Sequence, residues 1–242
     1  MAQFLKSILV NPHEACLPEG IEIETSEGIM RAPQFVDLRP FGLDFAVAKY
    51  PITNSVFDFF SQHNRSIKLL YHNDTRFNPP IHPAVGINEK DAGSYCDWLS
   101  GRLGLSVTLP EALLWERVAK CGTEISYSTP DGSCSGDYVN FELAWGGTNP
   151  VDHFPANNWG VHDMSGNVLE WTMTIPDYGQ VSPELGAKPV ETEADLQKLR
   201  ILKGGCWAFD DVNSRITANI VLGCLSTYYI IGFRPIIHLR SV

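Results

Sequence analysis

The strongest constraint on this chain is a stretch near its C-terminus whose two ends read as fixed by the fold and whose middle reads as arbitrary. It opens Gly204-Gly205-Cys206-Trp207, runs on for 24 residues and closes Gly232-Phe233-Arg234. The interior, 208–231, contains no Glu, Lys, Gln, Met or Trp, and no Pro or His. The first five types occur 37 times in the 242-residue chain, so about four belong in such a window on composition alone. Every residue type present can be encoded by a codon ending in C or T, and the five missing types cannot. Asn codons randomised at their first two letters yield this palette. Chance in an apolar, β-rich segment yields it too.

The rest of the chain bounds the answer. Its length suits one large domain or two small ones and can bury a real core. No internal repeat or linker divides it, so residues 1–242 read as a single domain. With 44% hydrophobic residues it is globular. A formal net charge of −10 lacks the basic footprint of a nucleic-acid binder. Cys16, Cys96, Cys121, Cys134, Cys206 and Cys224 are scattered, with neither zinc-ligand spacing nor a dense disulfide framework. The opening Met1-Ala2-Gln3-Phe4-Leu5-Lys6 lacks the basic flank and long apolar run of a signal peptide. No apolar segment is long enough to insert in a membrane. A cytoplasmic location is the default, with surface display or a phage particle left open.

Periodicity supplies the local elements. Ile21-Glu22-Ile23-Glu24 alternates as a half-buried strand does, and Phe45 to Tyr50 is a second strand candidate. A helix opens at Thr53-Asn54, either of which can cap it, with Val56, Phe59 and Phe60 as its apolar face. A second begins near Asn88, with Ala92, Tyr95, Cys96, Leu99 and Leu103 at helical spacing and Gly104 ending it. A third carries Pro110 in its first turn and Leu114, Trp115, Val118 and Ala119 on its buried face, and stops at Gly122. Residues 122–150 and 176–200 read as long surface excursions, the latter with Pro176, Pro183 and Pro189.

Four pieces in order then carry a resemblance. They are Lys49-Tyr50-Pro51-Ile52-Thr53-Asn54 with Phe59-Phe60; Asp91-Ala92 through Leu99, with Thr108 to Ala112 and Trp115-Glu116; Asn158-Trp159-Gly160 through Glu170-Trp171; and Lys203 to Trp207 closing at Gly232-Phe233-Arg234. Together they resemble the formylglycine-generating-enzyme family of the C-type lectin fold over most of residues 15–237. The resemblance implies an α+β fold: two or three helices around a small twisted antiparallel sheet, with long irregular loops. The last 35 or so residues would supply a strand, an exposed loop surface and the closing strand.

The family is split in function, so the fold alone decides nothing. One branch is a copper-dependent oxidase that converts a sulfatase cysteine to formylglycine, and it needs paired thiolates for Cu(I). Its cysteine positions fall at Phe209 and Ser214 here, and Cys206 and Cys224 are out of register. An iron-dependent branch uses a histidine-rich helical domain, which seven scattered histidines do not provide. A third branch is not enzymatic: the variable proteins of diversity-generating retroelements, in which adenine-directed mutagenesis randomises Asn codons between a Gly-Gly-x-Trp and a Gly-Phe-Arg. The chain resembles these, with Cys206 where Ser is usual, and the resemblance implies a non-enzyme that displays a hypervariable patch. A formylglycine-type oxidoreductase with a non-standard site is the alternative.

On the preferred reading, Trp207 and Phe233 anchor the window, while Arg234 bonds backbone carbonyls or pairs with a buried acid. Ala208, Phe209, Asp210, Asp211, Asn213, Ile220, Val221, Leu222, Thr227, Tyr228, Tyr229 and Ile230 would form the ligand face. Aromatics there give contact area at low entropic cost, and polar residues give hydrogen bonds. Some of the window, especially Val212, Ile216 and Ile231, reads equally well as core. The ligand is an unknown macromolecule, a protein before a glycan. No cofactor is required. The resemblance also allows calcium at Asp163 and Glu170, with carbonyls of Gly166 and Val168. A purely structural role for that turn is the competing expectation.

Overall fold

The computed structural model describes residues 2–26, 28–64, 67, 70–177, 179 and 192–239. Among the described residues the strands are, in chain order, β1 Leu9–Val10, β2 Ile21–Thr25, β3 Gly28–Ala32, β4 Phe35–Asp37, β5 Phe45–Ala48, β6 Ser106–Thr108, β7 Leu169–Trp171, β8 Leu199–Lys203, β9 Ile220–Gly223, β10 Ile231–Gly232 and β11 Ile236–His238. One sheet runs β1-β4-β5-β11-β6, a second runs β10-β7-β8-β9, and β2-β3 is a separate hairpin. The last strand of the chain thus lies between β5 and β6 and ties the N-terminal third to the middle.

The sheets are not wholly antiparallel. The β1–β4 and β10–β7 pairs are parallel. Parallel neighbours need a long crossover, and here residues 172–230 connect β7 to β10.

The helices are α1 Ala2–Ile8, α2 Asn54–His63, α3 Glu89–Leu103, α4 Ala112–Lys120 and α5 Glu193–Leu196. Helix α3 follows its pattern closely. Asn88 caps it by accepting from the Asp91 N–H at 2.8 Å, Gly104 ends it in the left-handed region, and all five expected residues are buried. Helix α2 differs from expectation: Val56, Phe57 and Phe60 are buried, and Phe59 only partly. Thr53 stands at its cap, but its hydroxyl donates to the Pro18 carbonyl at 2.8 Å, while the Asn54 amide donates to Phe77 and Pro79. Both polar groups join chain segments rather than cap the helix. Helix α4 buries Ala112 in place of Leu114, and Pro110 precedes its N-cap, Glu111.

The main core packs α2 and α3 against both sheets. Phe57 meets Phe233 edge-on at 5.8 Å between ring centroids, and Tyr95 meets Phe233 at 5.4 Å. A second cluster gathers Val47, Trp115, Trp159 and Ile236 on the opposite face of the first sheet. No helix among the described residues is long and apolar enough to cross a membrane. Of the expected 176–200 excursion, residues 178 and 180–191, with Pro183 and Pro189, lie outside the described residues. Its end forms α5 and the start of β8.

Candidate functional site

The window leaves β8 through two glycines in left-handed conformations, Gly204 at φ 94° and Gly205 at φ 71°. A Cβ on Gly205 would stand 2.6 Å from the Ser214 Cα, so only glycine lets the two passes of the loop touch. Trp207 is then buried against Phe77 and Val168. Its carbonyl accepts from the Leu143 N–H, and the Phe209 carbonyl accepts from the Glu142 N–H, both at 2.8 Å. Glu142 and Leu143 adopt left-handed backbones (φ 52° and 61°) to present those two donors.

Further along, the same logic repeats. The Ile216 N–H donates to Ser126, and β9 pairs with β8. The Cys224 N–H donates to Lys198, and its carbonyl accepts from Glu89. The Gly86 N–H serves both the Tyr228 and Ile231 carbonyls at 3.1 Å, and Leu169 N–H serves Ile230. The Tyr71 hydroxyl donates to the Thr227 carbonyl at 3.2 Å. Each of these bonds joins the window's main chain to residues outside it, and side chains of the window add to them: Asp210 accepts from the Asn213 N–H at 2.9 Å, and the Ser214 hydroxyl donates to the Asp210 carbonyl at 2.9 Å.

The window's expected face is only partly assembled. Asp210, Tyr228 and Tyr229 are exposed, the tyrosines at 51% and 42%. Ala208, Phe209, Asp211, Asn213, Leu222, Thr227 and Ile230 are half-buried. Ile220 and Val221 are not on the surface: each is 8% exposed. They lie on β9 and point to opposite faces of a sheet covered on both, Ile220 into the main core and Val221 against Ala112 and Ile201. Ile216 and Ile231 are core, whereas Val212 is 54% exposed. Leu225 is also 68% exposed, although nothing in its sequence surroundings singled it out. A groove of about 520 Å³ lies beside Leu225 and Thr227, with Asn88, Asp91 and Ser94 across from them.

The closing end is rigid. The Arg234 guanidinium grips the Glu170 carboxylate at 2.7 Å and donates to the carbonyls of Ala48, Lys49 and His162. Both sequence options for Arg234 are realised at once. The Trp115 indole N–H donates to the same Glu170 carboxylate at 2.7 Å. Every Glu170 oxygen is therefore committed to donors, and Glu170 does not fit a calcium ligand. Asp163 accepts from the Asn167 amide at 3.0 Å, and burial pushes its carboxyl up to about 7. Among the described residues no three His, Cys, Asp or Glu side chains converge as a metal site. In the same turn the Gly166 N–H donates to Gly204 at 2.7 Å, and the Val168 side chain packs on Trp207.

Cys206 is fully buried, and desolvation pushes its thiol up to about 12.

The sequence profile of the sulfatase-modifying factor enzyme 1-like domain matches residues 11–239. The chain belongs to this family. The formylglycine-generating enzyme of Mycobacterium tuberculosis is 34% identical to this sulfatase-modifying factor enzyme 1-like chain over 142 residues, 51% of the chain and 46% of the relative. The chain thus aligns with less than half of that relative's length. Solved structures share the fold, two of them as follows. PvdO from Pseudomonas aeruginosa superposes with a TM-score of 0.64 at 24% identity, over 81% of this chain and 80% of its own. Treponema denticola variable protein 1 superposes with a TM-score of 0.62 at 16% identity, over 80% of this chain and 86% of its own. The fold is thus shared with a protein titled a variable protein.

Proposed function

We propose that this chain is a ligand-binding protein whose window 208–231 is diversified by a retroelement and displayed for recognition of a macromolecule. One observation carries the reading. The window's main chain is bonded repeatedly, from Phe209 to Ile231, to residues outside it, while Val212, Leu225, Tyr228 and Tyr229 stand exposed along it. A loop whose main chain is held from outside can change its exposed side chains without losing its path. Exposed aromatic and aliphatic residues suit protein contact better than glycan contact. The restricted residue palette and the likeness in fold to a variable protein support the same reading.

The oxidase alternative draws on the family and on the Mycobacterium relative. It lacks the paired thiols at 209 and 214 that the copper chemistry uses. The test is genetic. Codons 208–231 are read in many clones from one population together with the flanking locus. Substitutions confined to positions that are adenine in a nearby template repeat support diversification. A uniform window with no template or reverse transcriptase beside it overturns it.

A further inference from the structure

The exposed Tyr229 ring is seated on three aromatic residues that lie outside the diversified positions. Its ring stacks on Phe77 at 5.5 Å with planes 18° apart, and it meets Tyr71 edge-on at 5.8 Å. Trp207 closes the third side at 5.8 Å. These three also support one another: Tyr71 meets Phe77 at 6.0 Å, and Phe77 meets Trp207 at 5.9 Å. Tyr71 is fixed further by its hydroxyl on the Thr227 carbonyl and by close packing on Gly86. Arg76 covers the Phe77 ring at 4.8 Å, held in turn by Asp74. Trp207 contributes one more feature. Its indole N–H is buried and has no hydrogen-bond partner among the described residues, which is costly unless something supplies an acceptor.

We propose that Tyr71, Phe77 and Trp207 form a constant slot for one planar aromatic ring, and that residue 229 decides whose ring fills it. With Tyr at 229 the protein plugs its own slot and presents a flat surface. With a small residue there, the slot opens to an aromatic side chain or aromatic small molecule of the ligand. The occupant is read from what sits there now: a phenol ring, stacked on one aromatic and edge-on to another, the two arrangements that ring quadrupoles favour. The slot need not collapse when the plug is removed, because the main chain on either side of 229 is tied by Gly86 and Leu169. The idea that position 229 changes in nature rests on the diversified-window reading; the slot itself does not.

The experiment is chemical rescue. Tyr229→Ala and Tyr229→Ser are titrated with p-cresol and with cyclohexylmethanol, a non-planar control of similar size. Binding is followed by calorimetry and by the Trp207 indole N–H resonance, assigned with a Trp207→Phe variant. Saturable p-cresol binding to both variants is expected, roughly tenfold tighter than the control, with a shifted Trp207 signal. The wild type, its slot filled, should show none. Equal binding of the two probes, no saturable binding, or binding to wild type as strong as to the variants overturns the slot. So does unfolding of both variants, since the slot must stand without its plug. A uniform window on sequencing alongside successful rescue would overturn diversification and leave the slot.

Discussion

Arg234 and Glu170 form an ion pair at 2.7 Å in which neither side chain has any exposure to solvent. Glu170 lies on β7, while Arg234 follows β10, which pairs in parallel with that strand. The pair bolts the exit of the window onto the sheet beneath it, and Trp115 supplies the remaining donor from α4. Charges this deep are tolerated only because each lone pair and proton is used.

Breaking that pair should therefore be severe. Glu170→Gln or Arg234→Met is expected to cost about 3–5 kcal/mol, because each leaves the partner charge buried and uncompensated. Urea unfolding measures it; a loss below about 1 kcal/mol would show that the pair is not what closes the window.

The window should divide sharply by position. Val212→Ser, Leu225→Ser and Tyr228→Ser should each shift stability by less than about 1 kcal/mol, as exposed substitutions do. Ile220→Ala and Val221→Ala should each cost roughly 1–4 kcal/mol, since both sit in packed core. If the two groups overlap in thermal melts, the exposed residues are structural and the displayed face is wrong.

Asp163 should give the fold a pH dependence of definite sign. Burial raises its carboxyl from 3.8 to about 7 in the folded state. The folded protein therefore holds the proton more tightly than the unfolded chain. Stability from this group is full below the unfolded value and is lost as pH rises toward the folded one. Asp163→Asn stays neutral throughout, so the Tm of the variant relative to wild type should climb between about pH 4 and pH 7 and then level off. A flat difference across that range would refute it.

Calcium should leave the protein unmoved. With Glu170 committed to Arg234 and Trp115, millimolar calcium or EDTA should alter Tm by no more than about 1 °C. A ligand bound to the native state at a concentration far above its Kd would raise Tm by several times that.

Gly205 should resist substitution. Alanine there takes both a left-handed backbone and a Cβ against Ser214, at an expected cost of roughly 2–4 kcal/mol. Gly223 has a Cβ position 3.6 Å from its nearest neighbour, the Ser226 hydroxyl, and no positive φ, so Gly223→Ala is the matched control.

Much of this was legible along the chain, and the reason differs by residue. Helix α3 was readable because its cap, apolar spacing and terminal glycine are all local signals. The anchoring of Trp207, Phe233 and Arg234 was readable because the sequence surrounds them with fixed-looking neighbours. Phe57 was missed on α2 because Phe57, Phe59 and Phe60 are alike in kind, and only packing against Tyr95 and Phe233 chooses among them. Tyr71 and Phe77 lie far from the window in sequence, so no local pattern could place them under Tyr229.

The sequence by itself determined the family, the bounds of the window and its restricted palette, because these are properties of residue order. Tertiary structure alone decided which side chains the window displays. Ile220 and Val221 carry the same apolar signal as Leu225, but α4 and the main core cover the two faces of β9, while Leu225 is 68% exposed. Burial depends on what other elements bring to a position, and that information is distributed over the whole chain.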